Sequence, residues 1–597
     1  MHPRLLVCVI LLLAGCATSD ALVEKEPVEK DKAQVQTKAQ AQTKAQTKAA
    51  GMVVTANPHA TEAGLAILRA GGTAVDAAVA IEAVLSLVEP QSSGMAGGGF
   101  MVHFDAETNT LAVYDGRETA PVGVEPGLFL KPSGEPLGFL EAKISGLSTG
   151  VPGMVAMLAM AHREQGALKW HTLFDSATNL ATNGFEISPR LYGFIEYFAK
   201  YVPDTIEEGP LDTYEYFYDS SGTPLPVGHI LKNPDYAETL GIISAAPSEF
   251  YTGSIAREIV DMVGRPPRAG GMTMEDVASY LPKKREALCF TYHEKQICGA
   301  PPPSSWVAVA MTLGILERGP GFSDEGVNDF HNWALFAEAQ RLAYADRDQY
   351  VADSDFVQVP LKGLMNNEYL ASRSALVSSE LAIPKIAPGD PWMYEPDPSH
   401  EDLGRDATFN APGTSHFVVV DAAGDVVSMT ATVESVFGSM RMVGGMFLNN
   451  QLTDFSFKPV DDEGRPVANA VAPGKRPRSS MSPTIVLDEK GAFLMATGSP
   501  GGNNIIAYTA KSLIGVLDWG LSAQQSVALP NMVARRDVVR VENDTNSEEL
   551  VNYLRAFGFE VDDTRGENSG LSVVIRRKEG HLEGGVDPRR EGVIGID

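Results

Sequence analysis

Gly413-Thr414-Ser415-His416-Phe417-Val418-Val419-Val420-Asp421 is where one kind of chain stops and another begins. Before it lie Pro388, Asp390, Pro391, Pro396, Asp397, Pro398 and Pro412, a composition of exposed loop, because proline removes backbone donors and short polar side chains favour turns. After it, residues 416–420 and 426–432 flank Asp421-Ala422-Ala423-Gly424-Asp425, which predicts a β-hairpin. A cut between Gly413 and Thr414 gives Thr414 a free α-amine beside its own hydroxyl, a nucleophile and a base on one residue. Such an amine has a reference pKa of about 7.7–8.0 and takes up a proton near neutral pH. Taken alone, a Gly-Thr step is more often just the start of a strand. The rest of the chain has to decide.

With 597 residues, 44% of them hydrophobic and 21% charged, the chain has room for several domain-sized cores or one large layered one. A formal net charge of −28 argues against a nucleic-acid partner, which needs a basic surface. The N-terminus reads as an export signal: Arg4, an apolar run at 5–13 too short to span a bilayer, then Ala14-Gly15-Cys16. Leu13-Ala14-Gly15-Cys16 resembles the lipobox of bacterial lipoproteins, which predicts a signal over 1–16 and a lipidated Cys16 that anchors without spanning. Ala17 then favours the outer membrane over the inner, with the protein facing the periplasm. An ordinary secretory signal with an incidental Cys16 is the alternative. Residues 17–50 are rich in Lys, Gln, Ala and Thr and hold too little apolar surface to order themselves, so they read as a tether.

Cys8 falls within the signal, which leaves Cys289 and Cys298 in the exported chain. A turn at His293-Glu294 sets them opposite each other on antiparallel strands, where they form a disulfide outside the cytosol or remain thiols. Two thiols with only His293 nearby do not complete a tetrahedral zinc set, and no metal or cofactor is expected.

In chain order, helical patterns at 60–69 and 75–88 precede a glycine-rich stretch, Gly94 to Gly99, which enters a strand at 100–104. No Gly-Lys-Ser/Thr follows, so it is not a phosphate loop. A strand at 111–114 leads to Asp115-Gly116-Arg117-Glu118-Thr119-Ala120-Pro121, where Arg117 either pairs with its flanking acids or offers a planar fork to a carboxylate. Residues 152–381 read mostly as amphipathic helices, among them 172–182 and 328–348, and as scaffold. Late in the chain, strands at 484–487 and 493–496 lead into Gly498-Ser499-Pro500-Gly501-Gly502-Asn503-Asn504, which opens a helix to about Leu517. Successive amides at such a start are placed to hold an oxyanion, or the glycines merely ease helix entry.

These stretches, together with Gly71-Gly72-Thr73-Ala74-Val75-Asp76-Ala77-Ala78, Glu89-Pro90-Gln91-Ser92-Ser93-Gly94, Pro301-Pro302-Pro303-Ser304-Ser305, Leu448-Asn449-Asn450-Gln451, Lys475-Arg476-Pro477, Ser479-Ser480-Met481-Ser482-Pro483-Thr484 and Asp587-Pro588-Arg589-Arg590-Glu591-Gly592, resemble the γ-glutamyltranspeptidase family of N-terminal-nucleophile hydrolases. The resemblance implies an α+β fold, an αββα sandwich, and self-cleavage between Gly413 and Thr414 into a large subunit, 51–413, and a small one, 414–597, that stay associated. It implies Thr414 as nucleophile, Thr432 as its orienting partner, and Gly501 and Gly502 as oxyanion donors. Arg117, Ser479 and Ser480 would take the α-carboxylate of a γ-glutamyl donor such as glutathione, and Glu434, Gln451 and Asp454 its α-ammonium. Water completes hydrolysis; an amino acid or dipeptide amine completes transfer. Two features depart from parts of the family: Glu434 stands where some members carry Asn, and the connection 455–478 is short and has no tyrosine to gate the pocket. Both predict an open site, one able to admit large γ-glutamyl donors. The rivals are a relative acting on another acyl group, as a cephalosporin acylase does, and a non-catalytic peptide-binding surface lipoprotein.

Overall fold

The computed structural model describes residues 47–48, 51–201, 211–397, 399–407, 413–543, 547–564, 566 and 569–597. The export signal with Cys16, and most of the expected tether, lie outside them. Thr47 and Lys48, assigned to the tether from composition, instead pair with Leu582 and His581 as a two-residue edge strand. A polar side chain is no obstacle at a sheet edge, where only the backbone has to pair.

Two seven-stranded sheets, antiparallel throughout, stack on each other. The first runs, edge to edge, Val593–Ile596, Met52–Thr55, Thr414–Val420, Val426–Thr432, Gly98–Asp105, Thr110–Asp115 and Lys283–Arg285. The second runs Thr47–Lys48, His581–Val586, Ser572–Arg576, Phe493–Gly498, Thr484–Leu487, Lys295–Gly299 and Leu288–Tyr292. The predicted hairpin sits at the centre of the first sheet, with Thr414 opposite Thr432 and Val420 opposite Val426. Side chains alternate as a strand demands. Val418, Val420 and Val426 point between the sheets to meet Ile485, Ala496 and Val574, while Phe417, Val419, Val427 and Met429 face outward.

Outside the first sheet lie helices Pro58–Arg69, Ala74–Val88 and Met154–Gln165. Ala74–Val88 is buried along its whole length, which its many alanines permit, and a capping box between Thr73 and Asp76 starts it. Outside the second sheet lie Trp306–Glu317, Phe330–Tyr350 and Ile505–Leu517. The αββα sandwich is thus present. Cys289 and Cys298 are register partners joined by a disulfide, and His293 and Glu294 turn the hairpin with φ of 46° and 64°.

Both sheets mix strands from either side of the 413/414 boundary. Met52–Thr55, for example, lies between Val593–Ile596 and Thr414–Val420. Each buried valine or isoleucine across that seam contributes about 1.5–3 kcal/mol. Many such side chains cross the seam, so two pieces of a chain cut there should stay associated.

Towards the Thr414 end the inner faces carry small and polar groups. Ser428 Oγ donates to Thr497 O at 3.1 Å and Ser572 Oγ to His416 O at 3.4 Å, each crossing from one sheet to the other. His416 Nδ1 is 2.9 Å from Thr430 Oγ1, and its ring lies against Gly498, where a Cβ would come within 2.3 Å. Burial lowers the His416 pKa to about 3. The unfolded chain takes up that proton near pH 6.5, so this contribution to stability is complete above pH 6.5 and is lost as pH falls toward 3. Thermal unfolding across this range should show stability falling by up to about 1.4 kcal/mol per pH unit from this one group. His416→Gln should be less stable at pH 7 and lose correspondingly less on acidification.

Candidate active site

Thr414 begins its strand with its hydroxyl donating to Thr432 Oγ1 at 3.4 Å. Thr432 Oγ1 in turn donates to the Gly413 carbonyl at 2.6 Å and accepts from Glu434 N at 2.8 Å. The carbonyl that precedes Thr414 is therefore polarised by the hydroxyl next to that of Thr414. Gly413 is held where only glycine fits, since a Cβ there would come within 2.5 Å of the Ser435 carbonyl carbon. Behind Thr414, Arg590 Nη1 donates to Thr414 O at 3.1 Å and Ser415 Oγ to Glu89 Oε2 at 2.8 Å. Neither Arg590 nor Glu89 was marked for this role by its place in the sequence.

One cavity brings together Thr414, Thr432, Arg117, Glu434, Gln451, Asp454, Ser479, Ser480 and Gly502, joined by Met481 and Ile505. Gly501 adjoins it without lining it. Gly501 has φ 137°, a conformation that strains any residue with a side chain, and a Cβ on it would meet Tyr508 at 2.6 Å, while Gly502 follows in the left-handed region at φ 57°. They lead through the turn Gly502–Asn504 into helix Ile505–Leu517, whose N-terminal end favours negative charge.

Arg117 sits just past the strand Thr110–Asp115, and only 1% of it is exposed. Its Nε donates to Pro477 O at 3.1 Å and its Nη2 to Arg478 O at 2.8 Å, and Nη2 also pairs directly with Asp454. Its flanking acid Glu118 stands 3.8 Å from Nη1, so the reading in which Arg117 pairs with a flanking acid holds. Gln451 Nε2 donates to the same Asp454 oxygen at 2.6 Å.

Glu434 adopts φ 82°, unusual for a side-chain-bearing residue, and accepts from Asn450 Nδ2 through Oε2. Among the described residues no partner reaches Glu434 Oε1 or Gln451 Oε1, both buried. Burial, and then the charge of Asp454, push the Glu434 carboxyl up to about 8 against the opposing effects of Asn450 and Lys143. Two unsatisfied acceptors beside a carboxylate suit one group well, an ammonium with its three donors.

The Pro301–Ser305 turn, whose role the sequence alone does not give, braces the opposite wall. Ser479 N donates to Pro303 O at 2.8 Å, Ser305 N donates to Ser479 O at 2.7 Å, and Ser304 Oγ donates to Met481 O at 2.7 Å. The short connection after Phe455 folds into its own turn, with Val460 bridged to Pro466, and lies against Gly404, whose amide donates to Pro466 O at 2.8 Å. No residue of 455–478 lines the cavity.

A model of the γ-glutamyltranspeptidase family matches residues 60–596. The chain belongs to the γ-glutamyltranspeptidase family. It is 33% identical over 596 residues to the glutathione hydrolase proenzyme of Bacillus subtilis (strain 168), covering 98% of this chain and 97% of that one. The Helicobacter pylori γ-glutamyltranspeptidase structure superposes with a TM-score of 0.52 at 32% identity, over 56% of this chain and 94% of that one. The cephalosporin acylase of Bacillus halodurans, at 24% identity and TM-score 0.78 over 92% of this chain and 96% of that one, shares the fold. No helix among the described residues is long and apolar enough to cross a membrane.

Proposed function

We propose that the chain is a γ-glutamyl hydrolase and transferase that matures by its own cleavage between Gly413 and Thr414. In the precursor the Thr414 hydroxyl attacks the Gly413 carbonyl, which Thr432 polarises, and water releases the resulting ester. Thr414 is then N-terminal, and its amine takes the proton as its hydroxyl attacks a γ-amide carbonyl. Gly501 and Gly502 amides hold the oxyanion, contacts of a kind worth about 3–4 kcal/mol each elsewhere. Arg117, Ser479 and Ser480 take the α-carboxylate; Glu434, Gln451 and Asp454 take the α-ammonium. Water or an amine resolves the γ-glutamyl ester.

The observation that carries this reading is the pairing of unsatisfied acceptors, Glu434 Oε1 and Gln451 Oε1, with a buried arginine in the cavity that holds Thr414. An acylase for an uncharged acyl group would bury polar groups there for no return. Release of glutamate from glutathione by the purified chain tests the reading; cleavage of a glutaryl amide in preference to a γ-glutamyl one would reverse it. That no residue of 455–478 lines the cavity supports a site without a tyrosine gate, one that would admit donors with large leaving groups. The Leu13-Ala14-Gly15-Cys16 sequence supports export and lipidation at Cys16, with the enzyme held at the periplasmic face of the outer membrane.

Glu434 supplies a pH signature. Free enzyme holds a proton on this carboxyl up to about pH 8, whereas a bound ammonium favours the ionised form. Donor binding therefore expels a proton. KM should fall as pH rises toward 8, by up to about tenfold per unit, and then level off. Glu434→Gln should flatten that slope and raise KM at pH 8.5 by roughly 10- to 100-fold. A KM profile that keeps its slope in the variant would assign the proton to another group.

A further inference from the structure

Helix Phe330–Tyr350, read from its spacing as scaffold, sends two side chains three residues apart towards the cavity wall. Tyr344 OH donates to Asn503 O, in the turn that follows Gly501 and Gly502. Arg347, 1% exposed, donates from Nη2 to Ser480 Oγ at 2.8 Å, from Nε to Ser305 Oγ at 3.0 Å and from Nη1 to Asp348 Oδ1 at 2.9 Å. Ser480 lines the cavity; Arg347 does not.

A guanidinium has no acceptor, so towards Arg347 the Ser480 oxygen can only accept. Its own proton must then be given elsewhere, and it goes to Asn503 Oδ1 at 3.2 Å. We infer that Arg347 is a positioning residue for α-carboxylate recognition: by occupying a lone pair of Ser480 it commits that hydroxyl to donate into the site, and it sets a second cation one hydroxyl behind the carboxylate. An oxygen that accepts a charge-assisted bond becomes a stronger donor. The substrate carboxylate replaces Asn503 as the acceptor. Recognition then rests on Arg117 in direct contact and on Arg347 through Ser480. Ser305 Oγ holds the same guanidinium, and Ser305 N fixes the carbonyl of Ser479, so the proline turn and the helix act on both serines.

The inference rests on the γ-glutamyl reading above, and the test separates the two. Kinetics are measured with γ-glutamyl-p-nitroanilide and with 4-aminobutanoyl-p-nitroanilide, which keeps the ammonium and lacks the carboxylate. Arg347→Met keeps the buried volume, and Asp348 retains Arg535, whose Nη2 lies 2.9 Å away. Self-cleavage before Thr414 involves no external carboxylate and reports folding. The expected result is normal self-cleavage, KM for the γ-glutamyl donor raised roughly 10- to 100-fold with kcat little changed, and no change on the decarboxylated donor. Arg347→Lys should recover part of the KM loss. In a Ser480→Ala background, Arg347→Lys should add no further loss. Equal losses on both donors, or additive losses in the Ser480→Ala background, would overturn the inference. Should Arg347→Met fail to self-cleave, the Arg347→Lys cycle decides alone. No hydrolysis of the γ-glutamyl donor by the wild type would overturn the functional reading itself.

Discussion

A Thr414→Ala chain should remain one polypeptide and release no glutamate from glutathione. The wild type should run as two chains that separate only on denaturation, the smaller beginning at Thr414. Loss of the nucleophile removes the step on which both maturation and turnover depend, and such losses are on the order of 10⁶-fold in turnover. Intact-mass measurement separates the two roles. Thr414→Ser keeps a hydroxyl and should process and turn over, more slowly, since serine lacks the methyl that restrains the threonine rotamer. Thr432→Ala should process slowly as well, because the Gly413 carbonyl loses the 2.6 Å donor that polarises it. A Thr414→Ala chain that still splits at 413/414 would mean an external protease performs the cut, and Thr414 would lose its claim to maturation.

What could be read beforehand was local or periodic. The hairpin around Asp421–Asp425 and the disulfide register of Cys289 and Cys298 follow from alternation and turn residues, which operate over a few positions. The identities of Thr414, Arg117, Glu434, Gln451, Asp454 and the two serines came from motif resemblance, and the cavity holds all of them. What stayed hidden were contacts between distant segments. Arg347 lies 133 positions from Ser480, and Arg590 lies 176 from Thr414. Nothing in the spacing of a buried helical arginine says which loop it will reach. Asn450 was quoted within a motif, yet its bond to Glu434 depends on the backbone of Glu434 turning through a positive φ, which composition does not betray. The two-residue strand Thr47–Lys48 was missed for a related reason: edge pairing is a property of the neighbour, His581–Val586.

On the proposed reading, the arrangement of charge lets one cavity take a zwitterion without leaving ions exposed in its absence. Arg117 and Asp454 pair with each other, Gln451 donates to Asp454, and the Glu434 carboxyl keeps its proton up to about pH 8. The free site therefore keeps its charges paired or neutral, which limits the cost of burying it, and leaves Glu434 Oε1 and Gln451 Oε1 as the acceptors without a partner among the described residues. A substrate carrying both charges can exchange these contacts one for one. A substrate carrying only one charge leaves a buried ion without compensation, and that asymmetry is where specificity arises.

Arg117→Gln should therefore cost more than one hydrogen bond. It removes the guanidinium proposed to meet the α-carboxylate and, at the same time, the cation beside Asp454, so both ends of the donor should be recognised less well. Two charge-assisted contacts at about 1.5–3 kcal/mol each put the loss in kcat/KM on the order of 10²–10⁴-fold for a γ-glutamyl donor. Arg117→Lys should recover little, because one ammonium cannot reach Pro477 O, Arg478 O and Asp454 together as the planar guanidinium does. Self-cleavage should persist in both variants, since Gly413, Thr414 and Thr432 keep their contacts. The decisive comparison is again a donor without the α-carboxylate. Arg117→Gln should lose activity there too, through Asp454, whereas Arg347→Met should not. If the two variants behave alike on that donor, Arg117 acts on the carboxylate alone and its pairing with Asp454 plays no part in binding the ammonium.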